Sequence, residues 1–287
     1  MKGKMTIAIA LVLLITTAFC LFACDKDESV SVDYSAENSF FVKTTDSDSA
    51  LVFEPVQDPV YGDSGMTYTK VNYRYGVVFY VGTAIEPKYY EYLGTALAKQ
   101  GYLVVMPKFK LNMAYTYYTE QEQAFSDYPN VKFFIAGHSQ GGGAAIRRAS
   151  ENAYSVTGAI LLSPLADRHP KLDANGNPVK DENGVEIYIA DNLKDVDVPT
   201  LLIEAAEDHV LTDIKKADAR SRLKEGYKHK VISPGTYTGF CQIEKYDDLP
   251  LKDLYSADFN ATDLSDKQAQ RTQTVAYMLE FIKNLSK

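Results

Sequence analysis

Apolar residues in this chain fall in short runs that alternate with stretches of helical periodicity. Tyr75 to Val81 is a continuous apolar run, the pattern of a strand buried on both faces. Tyr102 to Pro107, Val131 to Ala136, Val156 to Ser163 and Pro199 to Ala205 repeat it. Ala50 to Pro55 and His229 to Ile232 are shorter strand candidates. Between them, Pro87 to Gln100 puts Tyr90, Leu93, Leu97 and Ala98 on one helical face and stops at Gly101. Leu111 to Tyr128 reads as a second helical stretch, and Gly142 to Ala149 as a helix of small residues. Thr212 to Lys224 reads as an amphipathic helix and Ser265 to Leu285 as a long closing one. Alternating strands and helices need crossover connections. The expected fold class is therefore α/β, a mostly parallel central sheet with helices on both faces.

Two segments break this rhythm. Residues 166–198 are polar and turn-rich, with Asn175-Gly176 and Asn183-Gly184, and read as a surface excursion containing a hairpin. Asp173, Asn175 and Asn177 begin like a calcium loop, but Pro178 stands where that loop needs Gly and Gly184 where it needs Glu. A solvated hairpin is the expectation, and no metal site. At the other end, Lys2 and Lys4 precede Met5 to Phe22, apolar except for Thr6, Thr16 and Thr17. This is the pattern of a signal peptide over residues 1–23, with an uncleaved membrane anchor as the competing reading. Leu21-Phe22-Ala23-Cys24 resembles a bacterial lipobox, which implies cleavage before Cys24 and a lipid on its thiol. The expected location is then the cell envelope, outside the cytoplasm, with the membrane held through that lipid. Residues 24–48 become a tether and N-terminal extension, acidic and polar at first, and 49–287 the folded domain.

Composition narrows the picture. A length of 287 residues at 46% hydrophobic content suits one large domain of this class. A net charge of −8 argues against a nucleic-acid partner, which requires a basic footprint. Cleavage would remove Cys20 and lipidation would consume Cys24, leaving Cys241 without a partner, so no structural disulfide is expected. No metal-ligand spacing, phosphate loop or dinucleotide motif occurs, and no cofactor is implied.

The chemistry concentrates at Gly137-His138-Ser139-Gln140-Gly141. This G-x-S-x-G follows a buried-strand run and opens a helix, the context of a nucleophile elbow. Gly137 and Gly141 flank the serine because a Cβ there would meet the neighbouring strand and helix. Around it, Gly76 to Pro87, Gly101 to Val105, Lys108 with Asn112-Met113-Ala114, and Ala261 to Gln268 add further matches. Together they resemble the α/β-hydrolase superfamily, in its dienelactone-hydrolase-like branch, over roughly Leu51 to Leu285. The resemblance implies the α/β-hydrolase fold and a small-molecule acyl substrate such as an ester. It implies Ser139 as nucleophile of an acyl-enzyme, with the N–H of Gln140 and the Gly82-Thr83 turn as oxyanion donors. It implies Asp208 as the acid, with Glu207 adjacent to it.

The base departs from the pattern. That branch carries Gly-Gly-Asn-His-Ala-x-Phe after its last strand, and anchoring on Phe240 puts Tyr237 on the histidine position. No histidine follows His229. His138 sits inside the elbow, His169 in the polar excursion and His229 at the start of the last strand. His209, beside Asp208, is the surrogate candidate. Two readings stay open: a serine hydrolase with an unidentified base, and a degenerate hydrolase that binds a ligand at the membrane without turning it over. Tyr115, Tyr117 and Tyr118 are either pocket wall or ordinary helix aromatics.

Overall fold

The computed structural model describes residues 39–287, apart from 64, 122, 152–155, 166–167, 172, 176, 191–192 and 195. The expected leader and the lipidation site Cys24 lie outside the described residues. The apolar runs become neighbouring strands: β1 Phe41–Asp46, β2 Ala50–Gly62, β3 Gly65–Lys70, β4 Tyr75–Tyr80, β5 Leu103–Pro107, β6 Lys132–His138 and β7 Val156–Leu162. After β7 the excursion contributes a separate hairpin, β8 Arg168–Pro170 and β9 Tyr188–Ala190. β10 Thr200–Ala205 and β11 Lys228–Ile232 complete the main sheet. Among the described residues that sheet has nine strands in the order β1-β2-β5-β4-β6-β7-β10-β11, with β3 paired to β2. From β5 to β11 every pairing is parallel, and β2 is antiparallel to β5.

Position in the sheet explains the composition of each run. All six residues of β4 are buried, because helices cover both faces of a central parallel strand. Val77, Val78 and Phe79 have no exposed surface, and burying each such side chain stabilises the fold by about 1.5–3 kcal/mol. The covering helices are α1 Glu91–Lys99, α2 Ala114–Tyr117, α3 Gln123–Ser126, α4 Gln140–Ser150, α5 Asp213–Arg222, α6 Lys252–Phe259 and α7 Leu264–Leu285. The chain leaves β4 in one direction, through α1 to β5, and leaves β6 in the other, through α4 to β7. Right-handed crossovers running opposite ways place α1 and α4 on opposite faces. The crevice between β4 and β6 is therefore the switch point of the sheet, and Ser139 stands at its carboxyl end.

Three segments differ from the pattern reading. Leu111 to Tyr128 is not one helix. It is a chain of single turns, because Leu111 and Asn112 take positive φ angles of 56° and 51° and the Asn112 carbonyl accepts the Ala84 N–H at 3.0 Å. β1 lies ahead of the boundary expected at 49, and its largely exposed residues carry no apolar alternation that would announce a strand. α6 was not anticipated either, since its buried residues, Tyr255 and Asp258, form no apolar stripe. In the excursion, Asp173 Oδ1 accepts the N–H groups of Asn175 and Asn177 at 2.8 and 2.9 Å, closing a turn on the main chain.

At the elbow, backbone approaches backbone with no room for a Cβ. A Cβ on Gly141 would lie 2.3 Å from the Tyr80 carbonyl oxygen and 2.4 Å from that of Val81. One on Gly137 would lie 2.3 Å from the Gly141 carbonyl oxygen. Gly141→Ala is expected to destabilise the protein by about 2–3 kcal/mol, because main chain rather than a flexible side chain must move aside. Chemical denaturation followed by circular dichroism measures it; an unchanged midpoint would mean that α4 can shift freely on the sheet.

Candidate active site

Ser139 ends β6 and precedes α4 with φ 56° and ψ −125°. For a residue with a Cβ this backbone costs about 1–3 kcal/mol, so the surroundings must impose it. Its N–H donates to Leu162 O at 2.9 Å, and its carbonyl accepts from Gly143 N at 3.1 Å and Leu165 N at 3.0 Å. Gln140 is the first residue of α4, so its N–H points out of the helix end. The Thr83 hydroxyl donates to Gln140 Oε1 at 2.5 Å, tying the turn after β4 to the elbow. In that turn the Gly82 N–H is spent on the Tyr90 hydroxyl at 3.1 Å. The structure thus joins Thr83 and Gln140 through their side chains, while the Gly82 N–H is already engaged.

Tyr237 is buried next to the elbow, against the ring of His138. Ser139 is 3% exposed and Tyr237 1%. The rings of Tyr237 and Tyr255 stack with centroids 5.5 Å apart, and the His138 ring lies 4.4 Å from that of Tyr237. Tyr255 in turn donates to Thr83 O at 3.1 Å. Burial pushes the Tyr237 phenol well above its ordinary value and that of Tyr255 up to about 12.

Asp208 Oδ1 accepts the N–H groups of Val210 and Leu211 at 2.9 and 2.7 Å. Its Oδ2 is buried and finds no partner among the described residues. Burial raises this carboxyl to about 6; the Leu211 and Val210 amides oppose the rise and Asp258 adds to it. The expected surrogate His209 does not stand beside Ser139. It is exposed, and its main-chain N–H is bound to Asp258 at 2.9 Å. His229 pairs with Glu204 at 2.8 Å, a carboxylate that also accepts from Arg220 at 2.6 Å. His138 is fully buried, and burial pushes it down to about 3. The Tyr90 hydroxyl accepts from Gly82 N and from the Cys241 thiol at 3.4 Å, so its own proton goes to His138 Nδ1 at 2.8 Å. His138 is thereby held neutral as the Nε2–H tautomer.

Residues 76–180 match the alpha/beta hydrolase family. With the parallel sheet and the strained elbow at its switch point, that decides the fold. The chain has the alpha/beta hydrolase fold. Over 45 residues, 16% of this chain and 15% of the relative, it is 44% identical to a monoglyceride lipase from Rattus norvegicus. Among solved structures it resembles a predicted CIB-like hydrolase from Thermoplasma acidophilum at 15% identity and TM-score 0.47, covering 86% of this chain and 99% of that one. It also resembles a soluble variant of monoglyceride lipase from Saccharomyces cerevisiae at 14% identity and TM-score 0.43, covering 84% and 98%.

Two residues of this site escaped the sequence reading, and both sit on α6. Tyr255 touches Tyr237, and Asp258, fully buried, accepts from the N–H of His209, Tyr237 and Thr238 at 2.9, 3.0 and 2.7 Å and from the Thr238 hydroxyl at 2.8 Å. Their i, i+3 spacing puts them on one helical face, but nothing local marks that face as buried. On α7, Gln270 grips Thr236 from both ends, Oε1 accepting its N–H at 3.0 Å and Nε2 donating to its carbonyl at 2.8 Å. Tyr115 and Tyr118 brace α4, pairing with Arg147 at 3.2 Å and Glu151 at 2.5 Å. They act as packing aromatics.

The carboxyl of Asp208 binds its proton more tightly in the folded protein than in the unfolded chain, where its ordinary value is near 3.8. Stability should fall as pH rises from about 4 through about 6, and stay reduced above that. Asp208→Asn removes this penalty while keeping an acceptor for Val210 and Leu211. Its melting temperature should exceed wild type at pH 8, by the equivalent of about 1–3 kcal/mol, and match or fall below it at pH 4. A pH-independent difference would show that Asp208 is ordinarily solvated.

Proposed function

We propose that the protein hydrolyses esters or related acyl bonds of small molecules, with Ser139 as nucleophile of an acyl-enzyme. The observation that carries the reading is the elbow itself: a serine held at φ 56° between the end of a parallel strand and the start of a helix. Strain of this kind persists where a nucleophile must be presented, and a binding site has no need of it. The alpha/beta hydrolase match over 76–180 and the lipase named in the short sequence match support an acyl substrate. In this reading Ser139 Oγ attacks the carbonyl carbon, and the Gln140 and Thr83 main-chain N–H groups stabilise the oxyanion. The resemblance to the dienelactone-hydrolase-like branch, together with the expected leader over residues 1–23 cleaved before Cys24, favours a lipid-anchored protein outside the cytoplasm.

Tyr237 stands where such an enzyme keeps its base, and that sets the rate. A neutral phenol carries a proton already and accepts another only after losing its own. With its pKa held above about 10, less than about a thousandth of Tyr237 is phenolate at pH 7. Turnover in neutral solution is therefore slow, and it is limited by the base rather than by the nucleophile's position.

A second reading is favoured by one observation, the unpartnered Asp208 Oδ2. An acid kept without its histidine fits a descendant that retained the pocket and binds a ligand at the membrane without turning it over.

Three measurements separate the readings. A fluorophosphonate should label wild type slowly and Ser139→Ala not at all; absence of wild-type labelling up to pH 10 leaves the binding protein standing. With an activated ester, kcat/KM should rise about tenfold per pH unit from 6 to 9, because the phenolate fraction does so below its pKa. A plateau near pH 7 would instead reveal a histidine base. Tyr237→His puts a group that ionises in the neutral range where the resemblance expects the base, and should raise kcat/KM at pH 7 by on the order of a hundredfold.

A further inference from the structure

Between α1, α7 and the segment after Cys241 lies a cavity of about 550 Å³. That volume falls in the range of small-molecule sites, about 300–1,000 Å³. Ser139, Tyr237 and Asp208 are not among its lining residues, so it is separate from the candidate active site. Arg271, on α7, forms part of its wall, and that side chain is only 7% exposed. A buried guanidinium ordinarily spends its N–H groups on carboxylates or carbonyls. This one makes no hydrogen bond among the described residues. Nε and Nη2 are buried without a partner, and Nη1 comes no nearer than 3.8 Å to Glu244 Oε1. Glu244 is itself half exposed, a loose counter-charge beyond hydrogen-bond distance.

We propose that this cavity binds a small organic carboxylate, with Arg271 as the residue that holds its charged end. A buried charge without hydrogen bonds is costly, and the two oxygens of a carboxylate match the spacing of a guanidinium fork. Nη1 is the one guanidinium nitrogen outside the buried, unpartnered set, so first contact falls there. A small outward swing of the head then brings Nη2 onto the second oxygen. The charges lining the cavity select a monoanion. Glu91 and Glu244 stand against Lys99 and Arg271, so the bare site is balanced. It takes up one further negative charge when Glu244 turns into solvent, which its exposure allows. A phosphate dianion would bring two. The rest of the wall suits the body of such a molecule. Tyr92, Ala96 and Val275 offer apolar surface, and Thr95 and Gln242 offer hydrogen-bonding groups beside it.

The inference stands apart from catalysis and does not need Ser139 to be reactive. Benzoate is the probe, with benzyl alcohol as its uncharged counterpart and phenyl phosphate as the dianion. Each is titrated into the protein at neutral pH and low salt, and binding is followed by amide chemical shifts. Benzoate should move the resonances of Thr95, Gln242 and Thr272 along one saturating curve. Benzyl alcohol should bind at least about tenfold more weakly, because it gives up a charge-assisted hydrogen bond, and phenyl phosphate should also be weaker than benzoate. Arg271→Met keeps an apolar stem of similar length and should weaken benzoate by about tenfold or more. Ala96→Phe fills the cavity and leaves the guanidinium in place. It should weaken benzoate as much, and it decides the matter if the Arg271 variant does not fold. Glu244→Gln removes the competing carboxylate and should tighten benzoate about threefold. Wild-type affinity for benzoate in Arg271→Met or in Ala96→Phe would overturn the proposal. Shifts confined to the residues around Ser139 would do the same, by placing benzoate in the active site. Tighter binding of phenyl phosphate than of benzoate would refute the choice of a carboxylate.

Discussion

Three stretches of main chain meet at the end of β6 with no room for a side-chain carbon between them. Gly141 lies against the carbonyls of Tyr80 and Val81, and Gly137 against Gly141 itself. This contact clamps α4 onto the sheet beside β4 and drives Ser139 into a backbone region that a residue with a Cβ avoids. The rest of the site follows from it. The serine carbonyl is fixed by two amides, Gln140 opens the helix, and the Thr83 hydroxyl reaches Gln140 from the neighbouring turn. Interior packing spreads the cost of the strained residue over many contacts, which is how a fold of marginal stability can hold it.

On the other side of the crevice the site is built from side chains. The loop after β11 has no regular structure to hold it and is fastened at two points, by Asp258 and by Gln270. Asp258 is wholly buried, yet it receives four hydrogen bonds, and that many charge-assisted bonds are what makes a buried carboxylate tolerable. Asp208 shows the opposite balance. Two amides satisfy one oxygen, the other has no partner, and burial lifts the carboxyl to about 6. The two acids differ in what surrounds them, and that difference separates an anchor of the loop from a carboxyl with one buried oxygen left unpaired.

The polar groups around Ser139 form two separate rows. In one, Tyr237 stacks on Tyr255, whose hydroxyl donates to the Thr83 carbonyl, a group that cannot take up a proton. The other gathers Cys241 and Gly82 onto Tyr90 and then His138, with burial holding the thiol up to about 12 and the imidazole down to about 3. Both rows are therefore uncharged at neutral pH. They keep the site dry and rigid, and neither supplies the proton acceptor that fast acyl transfer needs.

What could be read along the chain was local. The apolar runs announced the central strands, because a strand covered on both faces admits few polar residues. Thr212 and Asp263 capped the helices that begin where they stand, accepting the N–H groups of Lys215 and Asp266. The elbow was legible because strand, glycine, serine, glycine and helix are all neighbours in sequence. So was the absence of a histidine from the last loop. What stands in its place was a tertiary matter. Tyr255 meets Thr83 from 172 residues away, and Asp258 meets the loop from 20. Neither residue belongs to an apolar stripe, and no spacing rule couples groups so far apart. The sequence alone determined the sheet, the elbow and the loss of the base; the folded chain decided that a stacked pair of buried phenols stands next to the elbow, because only packing brings α6 under the turn after β4.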